Sequence, residues 1–178
     1  MDLQYPIGKF AWNRSGEGLL ASEAERQEWL NDIAAAPAQL RAAVAGLTDA
    51  QFDTPYRPGG WTVRQVVHHL ADSHMNAYVR FRLGVTEHEP TIKPYEEKLW
   101  AELADARTAP PEISLTLIEA LHRRWVMLLR SLQPEDLARA IKHPELGRVS
   151  LEKYLAIYAW HGKHHVAHIT CLRGKSGW

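Results

Sequence analysis

Cysteine is nearly absent from this sequence: Cys171 stands alone among 178 residues. A lone cysteine makes no internal disulfide, which suits a reducing compartment, and it removes thiolate clusters from the metal sites the chain could build. Any metal would have to rely on histidine and carboxylate. Charge of either sign is not in excess, since Lys plus Arg and Asp plus Glu both number 21. No net field steers the chain toward nucleic acid or an anionic membrane, and neither partner is expected. Long hydrophobic runs are missing too. No uncharged apolar stretch approaches the roughly 18 residues of a membrane span, and the first residues lack a basic segment leading into a long apolar one. A cytoplasmic location is expected. Repeats, low-complexity tracts and a convincing strand series are also lacking.

What is present is helical periodicity. At 178 residues the chain is long enough for one domain, 1–178, because a domain of about 150 residues already buries roughly 70% of its unfolded surface. Pro6, Gly8, Gly16 and Gly18 among Tyr5, Phe10 and Trp12 read as an extended arm over Met1 to Gly18 that packs its rings on the body. Ser22-Glu23-Ala24-Glu25 has the capping-box pattern and opens a first helix to about Leu47, bent or broken near Pro37. A short turn starts at Thr48, and Tyr56 to Gly60 is a loop. Thr62 with Gln65 forms a second capping box, opening a second helix to about Leu83 or Thr86. Four prolines in residues 88–111 mark a crossover with one short helix over Glu96 to Leu103. Leu115 to Leu132 carries the apolar period of a third helix, and Pro144 to Gly147 is a turn. Ser150 caps a fourth helix that ends near Gly174. Four long amphipathic helices predict an all-α fold, a four-helix bundle with a long crossover. Seven Trp and six Tyr, several of them on the arm and crossover, predict aromatic surface buried between two subunits.

The ten histidines are unevenly spread, with three in 68–74 and four in 161–168. Each helical residue advances about 100°, so faces can be sorted by position alone. Tyr154, Tyr158, His161, His165, Ile169 and Leu172 share one narrow stripe that faces the core. Four residues apart, His161 and His165 can turn two imidazoles onto one ion, as in helical HExxH sites. His168 lies slightly off this stripe as a reserve, and His164 on its flank. On the second helix, Thr62, His69, Ser73, Asn76 and Arg80 form a polar row beside the apolar one, a costly arrangement unless it borders a cavity or a wet interface. His68 points away and reads as solvated; His74 reads as a core histidine satisfied by a hydrogen bond. Histidine is also tolerated as packing or surface, but the pair plus His69 favours a metal. Three neutral imidazoles supply three donors at about 2.0 to 2.1 Å and leave a coordination position open. Zinc leads, and imidazole also suits nickel.

Tyr5-Pro6-Ile7-Gly8, Asp53-Thr54-Pro55-Tyr56-Arg57, the run GGWTVRQVVHHLADSHMN from Gly59 to Asn76, and Trp160-His161-x-x-His164-His165-x-Ala167-His168-Ile169 closely resemble the YfiT branch of the DinB-like superfamily over nearly the full length. The resemblance implies an antiparallel four-helix bundle, a homodimer, and one divalent metal per subunit held by His69, His161 and His165. It also implies one of two activities. Family members are described as metal-dependent hydrolases, while relatives join a low-molecular-weight thiol such as bacillithiol to electrophiles. Gly162-Lys163 departs from the more polar or His-rich residues of close relatives and leaves the triad untouched.

The sequence offers no internal nucleophile. Cys171 lies off the core stripe and reads as a small buried or interface residue, so the nucleophile is expected on the metal. Ser73, Asn76 and Arg80 are candidates to bind a carboxylate or sugar hydroxyls of a cosubstrate, or else make helix-margin or dimer contacts. Thiol transfer to an electrophile ranks first. Hydrolysis of an amide or ester normally also wants a general base beside the metal; Gly162 follows His161, and Asp72 could serve only from a neighbouring face. A noncatalytic, stress-associated bundle with a metal that staples two helices, its fourth position closed by a residue such as His168, is the third reading.

Overall fold

Capping boxes set where the helices begin. In the computed structural model, which describes residues 3–12, 14 and 20–178, Ser22 Oγ accepts the Glu25 amide while the Glu25 carboxylate accepts the Ser22 amide at 2.9 Å. Thr48 with Gln51 and Thr62 with Gln65 repeat the device. These caps start α1 (Glu23–Val44), α2 (Asp49–Phe52) and α3 (Val63–Thr86). The crossover forms two short helices, α4 (Glu97–Trp100) and α5 (Ala104–Thr108), where one was expected. Then follow α6 (Pro111–Ser131), α7 (Pro134–Ala138), a hairpin of β1 (Ala140–His143) and β2 (Gly147–Ser150), and α8 (Leu151–Ser176).

Three sequence expectations are corrected. First, of the bend or break expected near Pro37 the break does not occur: α1 continues through the proline, which deprives only one carbonyl of its helical donor. Second, the turn at Pro144 to Gly147 joins an antiparallel hairpin, with Ile141 paired to Val149 and both fully buried. Its strands are only four residues each, and Lys142, His143 and Arg148 hide the alternation. Third, α8 runs past Gly174 to Gly177, whose left-handed φ of 69° ends the helix.

The core falls into two apolar clusters. One gathers Ile33, Phe81, Trp125, Leu129, Leu155 and their neighbours. The other gathers Leu40, Val66, Leu70, Ile118 and Ile169. α1 and α8 run from the first cluster to the second, whereas α3 and α6 run from the second to the first. The bundle is therefore up, down, down, up, with one pair antiparallel to the other. α1 packs on α6 and α8, and α3 packs on the same two. Because α3 and the neighbouring α6 point the same way, the chain must return the length of the bundle between them, which is what the long crossover does.

The arm packs its rings on the body, as expected of its described part; Gly16 and Gly18 lie outside the described residues. Phe10 meets Trp160, Trp12 meets Trp29, and Tyr5 meets His164. The Ala21 amide donates to the buried Glu152 carboxylate at 2.9 Å, fixing the entry to α1. These rings make contacts within the chain while each remains partly exposed.

Candidate metal centre

Between the two apolar clusters lies a layer of histidines. His69 comes from α3, and His161 and His165, one turn apart, come from α8. One ring nitrogen from each lies within 4.8 Å of the other two, a spacing from which three imidazoles can converge on one ion. Ring centroids are 5.4 Å apart for His69 and His161, 4.7 Å for His69 and His165, and 4.5 Å for His161 and His165. Trp61, at the end of the loop before α3, packs its ring 4.6 Å from His69.

Burial holds these rings in the form that binds metal. His69 is pushed down to about 4, chiefly by burial and then by His168 and His164. His161 and His165 lie well below the usual histidine value, again by burial first and neighbouring imidazoles second. All three present lone pairs at neutral pH. His165 Nδ1 is buried with no hydrogen-bond partner, as are the Nδ1 atoms of His164 and His168, so the triad is marked by the convergence of its nitrogens rather than by this orphan alone. The donor set, three neutral nitrogens with no thiolate, fits a borderline ion such as zinc or nickel.

The other histidines are engaged elsewhere. His68, expected to be solvated, is buried: its Nδ1 pairs with Ser114 Oγ at 2.7 Å and its Nε2 with the Ala109 carbonyl at 3.1 Å. Around His68 the outer face of α3 is covered by the end of the crossover and the start of α6, which shuts this ring off from water, while Met75 and Val79 further along the same face stay exposed. His74 is a core histidine satisfied by hydrogen bonds, to His122 at 2.7 Å and to His161 at 3.1 Å. His164 stacks on Trp160 at 4.3 Å. His168 stacks on Tyr56 at 4.0 Å and donates from Nε2 to the Gln4 carbonyl at 3.2 Å, so that nitrogen is not free to close a fourth coordination position.

Two cavities meet at His161. The first, about 610 Å³, is lined by His69, His161, His165, Trp61 and Trp160. The second, about 440 Å³, is lined by Ser73, Arg80, Tyr95, Tyr154, Tyr158 and again His161. Of the polar row on α3, Ser73 and Arg80 face this second cavity, Ser73 Oγ lying 3.3 Å from the Tyr158 hydroxyl. Asn76 lines neither cavity and donates to the Asp72 carbonyl of its own helix. Arg80 is buried, with its guanidinium donating to the Tyr154 hydroxyl at 2.9 Å and the Lys93 carbonyl at 3.0 Å. Among the described residues no carboxylate forms an ion pair with it. Asp72 also lines neither cavity; burial and then Asp105 raise its carboxyl to about 6. Cys171 is partly buried near the end of α8 and lines neither.

The sequence reading missed Glu97, His122 and Tyr95, and it put Tyr154 and Tyr158 on the core stripe without giving them a role. Glu97 lines both cavities while its side chain stays open to solvent, and partial desolvation by the cavity walls raises its carboxyl from the usual value. It sits on the crossover, where no periodicity marks it.

The pattern of the DinB superfamily matches residues 21–169. The chain belongs to the DinB superfamily. Among similar DinB proteins, one from Oceanobacillus iheyensis named "Putative metal-dependent hydrolase" is 54% identical over 178 residues, covering 100% of both chains. Another of the same name from Bacillus cereus is 51% identical over 177 residues, 99% of each. The solved structure of YfiT from Bacillus subtilis, "a probable metal-dependent hydrolase with an unusual four-helix bundle topology", superposes with a TM-score of 0.94 at 49% identity, covering 100% of this chain and 99% of that one. TT2238, a four-helix bundle protein at 19% identity and TM-score 0.55, shares the fold. The described part of the chain has no helix long and apolar enough to cross a membrane.

Proposed function

We propose that the chain is a metal-dependent enzyme that activates a low-molecular-weight, bacillithiol-like thiol for transfer to an electrophilic small molecule. One divalent ion per subunit, zinc before nickel, is held by His69, His161 and His165. Arg80 carries this reading. A buried guanidinium without a carboxylate is costly unless an anion completes it, and its cavity adjoins the histidine triad at His161. That arrangement suits a cosubstrate whose carboxylate rests on Arg80 while its sulfur reaches the metal compartment; Ser73, Tyr154 and Tyr158 add hydroxyls for its polar groups. Asn76 has no part in it.

A divalent ion bound by the triad supplies the positive charge that makes a thiol, or a water, acidic at the open position. In the transfer, the thiol gives up its proton, sulfur bonds to the electrophilic carbon, and the leaving group departs with its electron pair. Glu97, facing both cavities, is placed to accept that proton. Trp61 and Trp160 offer apolar walls for the electrophile.

Hydrolysis of an amide or ester is the second reading: the names of the relatives favour it, and Glu97 serves it equally well as the base beside the metal. The deciding experiment loads the protein with zinc or cobalt and assays carboxylate-bearing thiols with a chlorinated or epoxide electrophile, against amides and esters without thiol. Transfer predicts metal-dependent thiol consumption, a sulfur-to-cobalt charge-transfer band, and a raised thiol KM in Arg80→Ala with metal content intact. Turnover of amides or esters without thiol, lost in Glu97→Gln, selects hydrolysis instead. Failure of both chemistries leaves the noncatalytic staple.

A homodimer is also proposed. Met75 and Val79, one turn apart on α3, are 37% and 47% exposed and offer apolar contact area in addition to the partly exposed rings of the arm. Light scattering is expected to give twice the chain mass of 20.2 kDa; a single chain mass at micromolar concentration opposes it.

A further inference from the structure

Pro37 lies inside α1, and a proline there has no amide hydrogen to give to the residue four before it. That residue is Ile33. Its carbonyl oxygen accepts instead from His122 Nδ1 at 2.7 Å. The other nitrogen of that ring, His122 Nε2, lies 2.7 Å from His74 Nδ1, and His74 Nε2 lies 3.1 Å from His161 Nδ1. One hydrogen-bonded chain therefore crosses the bundle from α1 through α6 and α3 to α8. His74 and His122 are 0% and 2% exposed, so no bulk water competes for their nitrogens.

A carbonyl oxygen can only accept, and that settles the direction of every link. A neutral imidazole has one donor nitrogen and one acceptor. His122 must carry its proton on Nδ1 to reach Ile33, which leaves Nε2 to accept. His74 must then donate from Nδ1 and accept at Nε2. His161 in turn donates from Nδ1, and its Nε2 keeps a lone pair on the side of the triad.

We propose that His122 and His74 are positioning residues, a proton-ordered chain that starts at the carbonyl left open by Pro37 and holds His161 as the Nδ1–H tautomer with its Nε2 lone pair offered to the metal. The role toward an ion rests on the metal reading above; the proton placement is a property of the metal-free protein. Metal-ligating histidines commonly lean on a carboxylate or carbonyl through their second nitrogen. Here the carbonyl is two rings away, and both intervening rings are needed to transmit its direction.

The test begins with full-length protein labelled with 15N-histidine and stripped of metal, in which long-range 1H–15N correlations report which nitrogen of each ring is protonated. Protons on Nδ1 of His122, His74 and His161 are expected. A proton on His161 Nε2 overturns the chain. Zinc alone is then titrated against a competing chelator into wild type, His122→Gln and His122→Phe. Glutamine can donate its amide to Ile33 and accept from His74 Nδ1, preserving the direction; phenylalanine can do neither. His122→Phe is expected to weaken zinc about 10- to 100-fold and to move the His74 proton to Nε2, with His122→Gln recovering most of both. Equal affinity in all three proteins overturns the positioning role. Equal loss in both variants also overturns it, since the loss then follows packing rather than proton direction. Should His122→Phe fail to fold, Pro37→Ala replaces it: Ile33 regains a helical donor, and faster exchange of the His122 Nδ1 proton is expected, an unchanged rate refuting the part assigned to Pro37. If wild type takes up no zinc, the metal reading fails by itself, and the proton positions still decide the chain.

Discussion

Seven histidines lie close together in the fold, and what separates their roles is the helix face each occupies and what its ring meets. His161 spends Nδ1 on His74, His168 spends Nε2 on Gln4, and His164 is stacked on Trp160. Face counting on the helices distinguished His69, His161 and His165 from these neighbours because helical spacing alone fixes which side chains share a stripe. It could not see that His68 would be covered, since the covering residues, Ser114 and Ala109, are some forty positions away in sequence. His165→Ala is expected to remove most of the metal from protein purified without chelator, while His164→Ala keeps about one equivalent, as three donors at one centre imply. Elemental analysis of the two variants checks this; equal loss from both would refute the assignment of His164 to stacking.

At the scale of elements, caps were legible and contacts were not. Ser22, Thr62 and Ser150 announce their helices by local chemistry, whereas the segment read as a turn at Thr48 is a short capped helix. The persistence of α1 through Pro37 and the hairpin over Ala140 to Ser150 depend on what packs against them, which one strand of sequence does not display. Gly162 illustrates the same point. It reads as a poor helix former between two ligands, yet a Cβ there would lie 3.2 Å from Ala36 Cβ and 3.6 Å from His74 Cε1. The glycine lets α8 approach α1 and leaves room for the His74 ring. Gly162→Leu should therefore lower stability by about 1 to 3 kcal/mol through overpacking, despite leucine's better helix propensity. Urea unfolding measures the change, and a more stable variant would show that the two helices can move apart freely.

For the whole molecule, the four helices and their long crossover were readable from periodicity and proline placement, whereas the up, down, down, up order required knowing which helix ends share a cluster. That order places a plane of imidazoles between two oily halves. His69 and His122 are held down to about 4, and His74, His161 and His165 are also held well below the 6.5 of an exposed ring. The unfolded chain therefore takes up protons from about pH 6.5 downward that the folded one refuses until about pH 4 or below. By proton linkage, stability is complete above 6.5 and declines as pH falls through this window. Thermal melts of metal-free protein at stepped pH are expected to drop steeply there, and a flat profile would contradict the neutral layer. Acid thus attacks this bundle at its waist rather than at its capped ends, so the groups that would hold an ion are the same groups whose neutrality keeps the two halves together.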